Sequence, residues 1–253
     1  MRLFFSSHRQ QNCHLDRSKR EEIIFSKIMS VISKLKSVFQ KKSNKAIKEI
    51  QHALQIESPI VIEAGAHIGS DSVEMSKIWP KGIIHAFEPI PEIYNKLVSN
   101  TRGYKNILTY PVALSNQTGT ASIFVSSGAS DGSSSLLAPK EHISEHPDVQ
   151  FAKVQNINTI TLDDWAAQNK IDHVDFAWLD MQGFELSMLK ASENILKNIK
   201  VIYTEVSLKE MYEGVILYPE MKSWMEKQGF QVAYEDFRWT DMGNVLFVRK
   251  RNS

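Results

Sequence analysis

Apolar residues change their spacing several times along the chain, and each change marks an element. From Glu21 to Gln40, Ile24, Ile28, Val31, Ile32, Leu35, Val38 and Phe39 recur every three or four residues, which predicts one helix face. Lys27, Lys34, Lys36, Lys41, Lys42 and Lys45 decorate and follow that helix. A second helix, capped at Ser43-Asn44, places Ala46, Ile47, Ile50 and Leu54 on one side. Beyond it, short β-branched runs alternate with helical stretches: strand 59–62, helix 72–79, strand 82–87, helix 91–100 and strand 107–114. After a turn at 116–119 the pattern predicts a strand over 120–125, a Ser/Gly-rich loop over 126–135 and an irregular stretch to about Asn156. Thr161 opens a short helix, and strand 174–179, helix 185–196, strand 201–204 and helix 219–227 follow. Strands 231–239 and 244–249 then form a hairpin with no helix between them.

This alternation predicts an α/β fold, a doubly wound Rossmann-like sheet, mainly parallel with an antiparallel C-terminal hairpin. It divides the chain into a flexible leader over 1–20, a helical segment over 21–58 and one domain over 59–250, with Met29 as an alternative start. The 253 residues are 42% hydrophobic and 23% charged, which excludes a disordered tail, a collagen-like rod and a coiled coil. Thirty Lys and Arg against 29 Asp and Glu leave a net charge of +1, so no whole-chain field draws nucleic acid, and no nucleic-acid partner is expected. The single Cys13 forms no internal disulfide, and neither a signal-peptide core nor a spanning apolar run is present, so the expected location is cytoplasmic. Peripheral membrane contact through the basic stretch 21–42 is the alternative to packing of that helix on its own domain or a partner subunit.

Glu63-Ala-Gly-Ala-His-Ile-Gly69 sits between a strand and a helix, where glycines let a ligand approach the backbone and free N–H groups suit electron-rich atoms. The next strand ends at Glu88, 23 residues beyond Gly65, near the spacing at which an acid meets ribose hydroxyls. The segment Gly65-Ala66-His67-Ile68-Gly69-Ser70 departs from the G-x-G-x-x-G dinucleotide fingerprint. Glu63 favours a ligand with a cationic portion instead.

The motifs at 61–69, 85–91, 111–116, 133–136, 161–165, 178–185 and 203–205 together resemble the FkbM family of S-adenosylmethionine-dependent methyltransferases, in order across 59 to about 248. The resemblance implies a class I methyltransferase sheet of seven strands, with the last antiparallel. It also implies S-adenosylmethionine as cofactor and O-methylation of a hydroxyl on a sugar, glycan or secondary metabolite. Carried over by position, Glu63, Gly65, Ala66, His67 and Gly69 would line the methionine and ribose region, and Glu88 would bind the ribose hydroxyls. Many relatives have Asn at the place of His67, and Lys-Ile-Asp-Val-Glu-Gly where this chain has Trp178-Leu-Asp-Met-Gln-Gly183.

Asp180 and Glu205, at strand ends, are the catalytic candidates. Holding the turn through Gly183 is the competing role for Asp180, and Glu185 complements its helix N-terminus. Tyr212 either touches the acceptor or packs a loop. His142 and His146 read as two solvated loop histidines rather than ligands, and no metal is expected, although Asp180, Glu185 and Glu205 are an oxygen set of the kind Mg²⁺ takes. Phe87, Trp178, Tyr203 and Phe230 read as core, and the loop 126–135 as either a lid or a connector. The alternatives to a methyltransferase are an NAD-dependent oxidoreductase, which shares the glycine turn and Glu88, and a catalytically idle docking module.

Overall fold

Two segments, Ile60–Ala64 and Val174–Leu179, are apolar almost without interruption, as strands covered on both faces must be. They become β1 and β7, neighbours at the centre of a sheet. The computed structural model describes residues 47–250. The leader, the basic helix over 21–40 and its membrane alternative, and the cap at Ser43-Asn44 lie outside the described residues.

The described chain begins in a helix, α1 (residues 47–54). After β1 come α2 (Ser70–Ile78), β2 (Ile83–Phe87), α3 (Pro91–Thr101) and β3 (Ile107–Tyr110). Then follow β4 (Ala113–Leu114), β5 (Gly119–Gly128), α4 (His142–Glu145), β6 (Val149–Ile160) and α5 (Leu162–Asn169). After β7 the chain forms α6 (Glu185–Lys190), α7 (Glu193–Leu196), β8 (Ile199–Ser207), α8 (Tyr218–Lys227), β9 (Phe230–Asp236) and β10 (Met242–Arg249). Seven strands pair in the order β3-β2-β1-β7-β8-β10-β9; the first five are parallel, and β10 runs antiparallel to both β8 and β9. The C-terminal hairpin is therefore present, with its second strand inserted between β8 and β9.

Four expectations need correction. The strand over 107–114 splits, because Pro111 has no N–H to continue the ladder, and Ala113–Leu114 pairs with β6 instead. The irregular stretch ends not near Asn156 but at Val149, where β6 begins and runs antiparallel to β5. Its Lys153, Gln155, Asn156 and Asn158 interrupt the apolar alternation because half of this strand is exposed, so its pairing is set by β5 rather than by burial. The helix over 185–196 breaks at Ala191-Ser192: the Ser192 hydroxyl donates to the Met188 carbonyl at 3.0 Å, and the Asp163 carboxylate restarts a helix by accepting from the N–H groups of Asn194 and Ile195 at 3.1 and 2.8 Å. His142 is buried on α4 against Phe151 and Tyr212 rather than solvated.

The strands β4, β6 and β5 form a separate three-stranded sheet between β3 and β7 in the chain. Thr161 caps α5 by accepting from the Asp164 N–H at 3.0 Å, and α5 turns Trp165 into the core. There the indole meets His85, Phe87 and Tyr110 edge-on, at centroid distances of 4.8, 5.2 and 5.6 Å. Edge-on packing sets the positive rim of one ring against the negative face of another. Phe87 and Phe230 are fully buried and Tyr203 nearly so, as expected of core residues, while Trp178 is only half-buried.

Trp165, 2% exposed, is the wedge among these rings. We predict that Trp165→Ala lowers unfolding free energy by about 3–5 kcal/mol, read from urea denaturation. A loss below about 1 kcal/mol would contradict this account of the core.

Candidate active site at the strand ends

The chain proceeds from β1 outward through β2 to β3, then crosses to β7 and β8 on the other side, so a crevice opens at the carboxyl ends of β1 and β7. Two backbone approaches shape it. The Asp180 N–H donates to the Ala64 carbonyl at 3.0 Å, and a β-carbon on residue 65 would stand 1.8 Å from the Asp180 carbonyl oxygen. With φ at +81° as well, the position requires glycine. Gly69, at φ +84°, precedes α2 where a β-carbon would press on Leu97 and Thr101 of α3, so it serves helix packing.

Between these glycines His67 takes a left-handed backbone, φ +49°, which aims its N–H at Glu88. The Glu88 carboxylate, at the end of β2, accepts from the His67 N–H at 3.1 Å and the Ile90 N–H at 2.8 Å. Burial still dominates and pushes this carboxyl up to about 7. The His67 ring reaches out to Asp131 at 2.9 Å.

Asp131 belongs to the Ser/Gly loop, which its own hydroxyls tie into shape. The Ser133 N–H donates to the Ser126 hydroxyl at 2.9 Å, the Ser126 N–H to the Ser134 hydroxyl at 3.0 Å, and the Ser133 hydroxyl to that of Ser130 at 3.1 Å. The loop closes one side of a cavity of about 210 Å³. One part of the cavity wall is apolar, from Ile90 and Ile93 of α3 and its cap, Ala113 of β4, Leu114, Ile123 of β5, Leu136 and Phe184. The other part is acidic and polar, from Asp71, Glu88, Asp131, Asp180, Ser70 and His67.

Of the residues singled out in the sequence, Gly65, Ala66, His67, Glu88 and Asp180 line this cavity, and Glu63, Gly69 and Glu205 do not. Glu63 is 1% exposed; it accepts a hydrogen bond from the Ser72 hydroxyl of α2, and burial raises its carboxyl to about 8. Glu205 stands behind Asp180, joined to it through Gln182, whose amide N–H₂ donates to Asp180 Oδ1 at 2.8 Å and Glu205 Oε1 at 3.2 Å. Asp180 is exposed to the cavity; the protein around it partly desolvates and so raises its carboxyl, while the Gln182 donor and His67 pull it back. Burial raises the Glu205 carboxyl too, and the nearby acids Asp180, Glu185 and Asp241 add to the effect.

The turn after β7 is held by Glu185 rather than Asp180: its Oε1 accepts from the N–H groups of Met181 at 2.7 Å and Gly183 at 3.3 Å, and burial raises this carboxyl to about 7. Tyr212 is buried, with its hydroxyl 2.9 Å from both Gln182 Oε1 and the Ser133 carbonyl, so it packs the loop and does not line the cavity. The His142 ring lies tilted against it at 5.4 Å, and His146 reaches Asp241 at 3.0 Å. Among the described residues no three His, Cys, Asp or Glu are placed to hold a metal ion, and no helix is long and apolar enough to cross a membrane. Six wall residues lie outside the motifs: Ser70, Asp71, Ile93, Ile123, Asp131 and Gly132. Asp131 is concealed in a loop of small residues, and Ile123 in a strand whose partner is itself hard to read.

The sheet order, the glycine crossing and the acid at the end of β2 define a class I methyltransferase fold. Residues 63–232 match the model of the methyltransferase FkbM domain, and the chain belongs to that family. The 2-O-methyltransferase NoeI of Sinorhizobium fredii (strain NBRC 101917 / NGR234) is 30% identical over 177 residues, which cover 68% of this chain and 73% of NoeI. Methyltransferase sdnD of Sordaria araneosa is 21% identical over 222 residues, 77% of this chain and 83% of its own. The structure of magnesium protoporphyrin IX methyltransferase (ChlM) from Synechocystis PCC 6803 superposes with a TM-score of 0.50 at 10% identity, covering 84% of this chain and 80% of that one, a likeness of fold alone.

The buried acids have a consequence for stability. Glu63 keeps its proton to about pH 8 in the folded protein but loses it near 4.5 when unfolded, so folding is favoured below 4.5 and that contribution is lost as pH rises toward 8. Glu63→Gln, whose amide cannot ionise, is therefore expected to gain stability relative to the unsubstituted protein as pH rises through this window. Urea unfolding at a series of pH values reads it, and a constant difference would contradict the burial assigned to Glu63.

Proposed function

We propose that the protein is an S-adenosylmethionine-dependent O-methyltransferase whose acceptor is a hydroxyl on a sugar, glycan or other small molecule. The observation that carries this reading is the placement of the Asp180 carboxylate in the cavity wall, across the Gly65 crossing from Glu88. Supporting it are the family and the wall chemistry. The acidic part of the cavity suits a ligand that carries a sulfonium, an ammonium and ribose hydroxyls, and the apolar part suits a purine ring.

In this reading the Glu88 oxygens, already fixed by two N–H groups, accept from the ribose hydroxyls. Gly65 and Ala66 let the ligand chain lie against the end of β1, and Ile90, Ile93, Leu114 and Ile123 enclose the base. Gly69 and Glu63 act one layer back, holding α2 against α3 and β1. S-adenosylmethionine supplies, when bound, an electrophilic methyl on a positively charged sulfur. Asp180 would accept the proton of the acceptor hydroxyl when that oxygen takes the methyl and the sulfur leaves as the thioether of S-adenosylhomocysteine, and Glu205 would support it through Gln182.

Alignment of oxygen, methyl and sulfur supplies about 7–11 kcal/mol of the barrier reduction. A general base adds about 10²- to 10⁴-fold, or roughly 3–5 kcal/mol. Positioning is therefore the larger effect, and loss of the base leaves a slow enzyme rather than none. The similarity to the 2-O-methyltransferase NoeI and the shared family support oxygen as the methylated atom. The domain limits 59–250 are proposed on the same footing, since they enclose every residue of the cavity.

The acceptor is found by incubating the full chain and labelled methyl donor with cell extracts and identifying the labelled product by mass spectrometry. A label on a hydroxyl of a small molecule or glycan is expected; label on protein or nucleic acid would overturn the acceptor class. With that extract as acceptor, Asp180→Asn is expected to slow methylation by about 10²- to 10⁴-fold with the affinity for S-adenosylhomocysteine unchanged. Unchanged turnover would remove Asp180 from the reaction.

A further inference from the structure

Gln182 is arranged more elaborately than a turn residue needs to be. Its backbone is left-handed, φ +53°, a conformation that disfavours a side chain of this size, and the Ser135 hydroxyl fixes its carbonyl at 2.8 Å. The side chain is 8% exposed with all its hydrogen-bonding capacity directed inward: one N–H to Asp180 Oδ1, the other to Glu205 Oε1, and Oε1 facing the Tyr212 hydroxyl. These three partners determine which way the amide points. Its two donors can be used together only if Asp180 and Glu205 both act as acceptors at the same time.

We propose that Gln182 is a positioning residue for methyl transfer: its amide clamps Asp180 Oδ1 against Glu205, so that Asp180 Oδ2 is presented to the acceptor hydroxyl. Oδ2 accepts no hydrogen bond from any described residue, while Asp180 lines the cavity. The inference rests on the proposed role of Asp180 as base.

The titratable groups facing Asp180 come from every element around it: Glu63 from β1, His67 and Asp71 from the turn and helix after it, Glu185 from α6, Glu205 from β8 with Asp241 behind it, and the neutral Tyr212 hydroxyl. All but His67 and Tyr212 are carboxylic acids, so an unclamped Asp180 would hold its proton more tightly and serve poorly as a base. The amide donor opposes that tendency without adding a charge. A glutamate at this position would supply no donor when ionised and would add a further negative charge.

The test is a carboxyl titration, followed by nuclear magnetic resonance on the full chain with labelled aspartate carboxyls, with Asp180 assigned from its loss in Asp180→Asn. Gln182→Met and Gln182→Glu are compared with the unsubstituted protein, and spectra of the remaining residues confirm folding. The expected result is that the Asp180 titration moves to higher pH in both variants, further in Gln182→Glu. Gln182→Met is also expected to lower kcat at least about tenfold with KM for S-adenosylmethionine unchanged, using the labelled extract as acceptor. An Asp180 titration unmoved in the folded Gln182→Met protein overturns the proposal and leaves the proposed function standing. Unchanged turnover in Asp180→Asn instead overturns the base assignment and this inference together.

Discussion

The carbonyl oxygen of Asp180 occupies the space a side chain at residue 65 would need, and the rest of the site depends on that contact. Because residue 65 is glycine, β1 and β7 stay paired to their last residues, and the Asp180 N–H reaches the Ala64 carbonyl. The chain can then turn left-handed at Gly65 and again at His67, and the second turn delivers an N–H to Glu88 on the neighbouring strand. Three strand ends are thereby locked into one geometry by backbone contacts and by the Glu88 carboxylate. Side chains of Asp180 and Glu88 are placed as a result.

The three-stranded sheet explains what the central sheet cannot supply. A seven-stranded sheet leaves the crevice open on the side of α3, and β4 and β5 close it with Ala113 and Ile123, while the serine-tied loop brings Asp131 to His67. The loop's hydroxyls satisfy its own N–H groups, so it is an ordered wall rather than the plain connector that its composition equally suggests. Behind the wall lies an arrangement that disfavours the folded protein at neutral pH, because Glu63, Glu88 and Glu185 are all raised by burial. A cationic ligand rich in hydroxyl donors would offset that cost at Glu88, the one of the three that lines the cavity.

Much of this is legible in the chain. The doubly wound sheet shows in the alternation of β-branched runs with amphipathic stretches, and the Gly65 turn and Glu88 stand out because backbone approach and an acid at the next strand end are local features. What is hidden depends on pairing across long separations. β6 is polar because it faces solvent, so only its ladder with β5 identifies it. The break at Ser192 comes from a carboxylate at Asp163, and the burial of His142 from the packing of Tyr212 and Phe151, none of which is near in sequence. Gln182 is visible only as a departure from a family pattern; its three hydrogen bonds reach residues 180, 205 and 212. Periodicity reports burial on one element, whereas these features report agreement between several.

The central claim is that Glu88, made reluctant to ionise by burial, is held ready for the hydroxyls of an adenosine-type ligand. It is tested most directly by calorimetric titration of the full chain with S-adenosylhomocysteine in buffers of differing ionisation enthalpy, beside Glu88→Gln. The account predicts one-to-one binding that tightens as pH rises toward about 7 and levels off above it, with a proton released below that pH, and loss of both the tightening and the proton in Glu88→Gln. Absence of binding, or binding whose affinity and proton release are the same in Glu88→Gln, would contradict it.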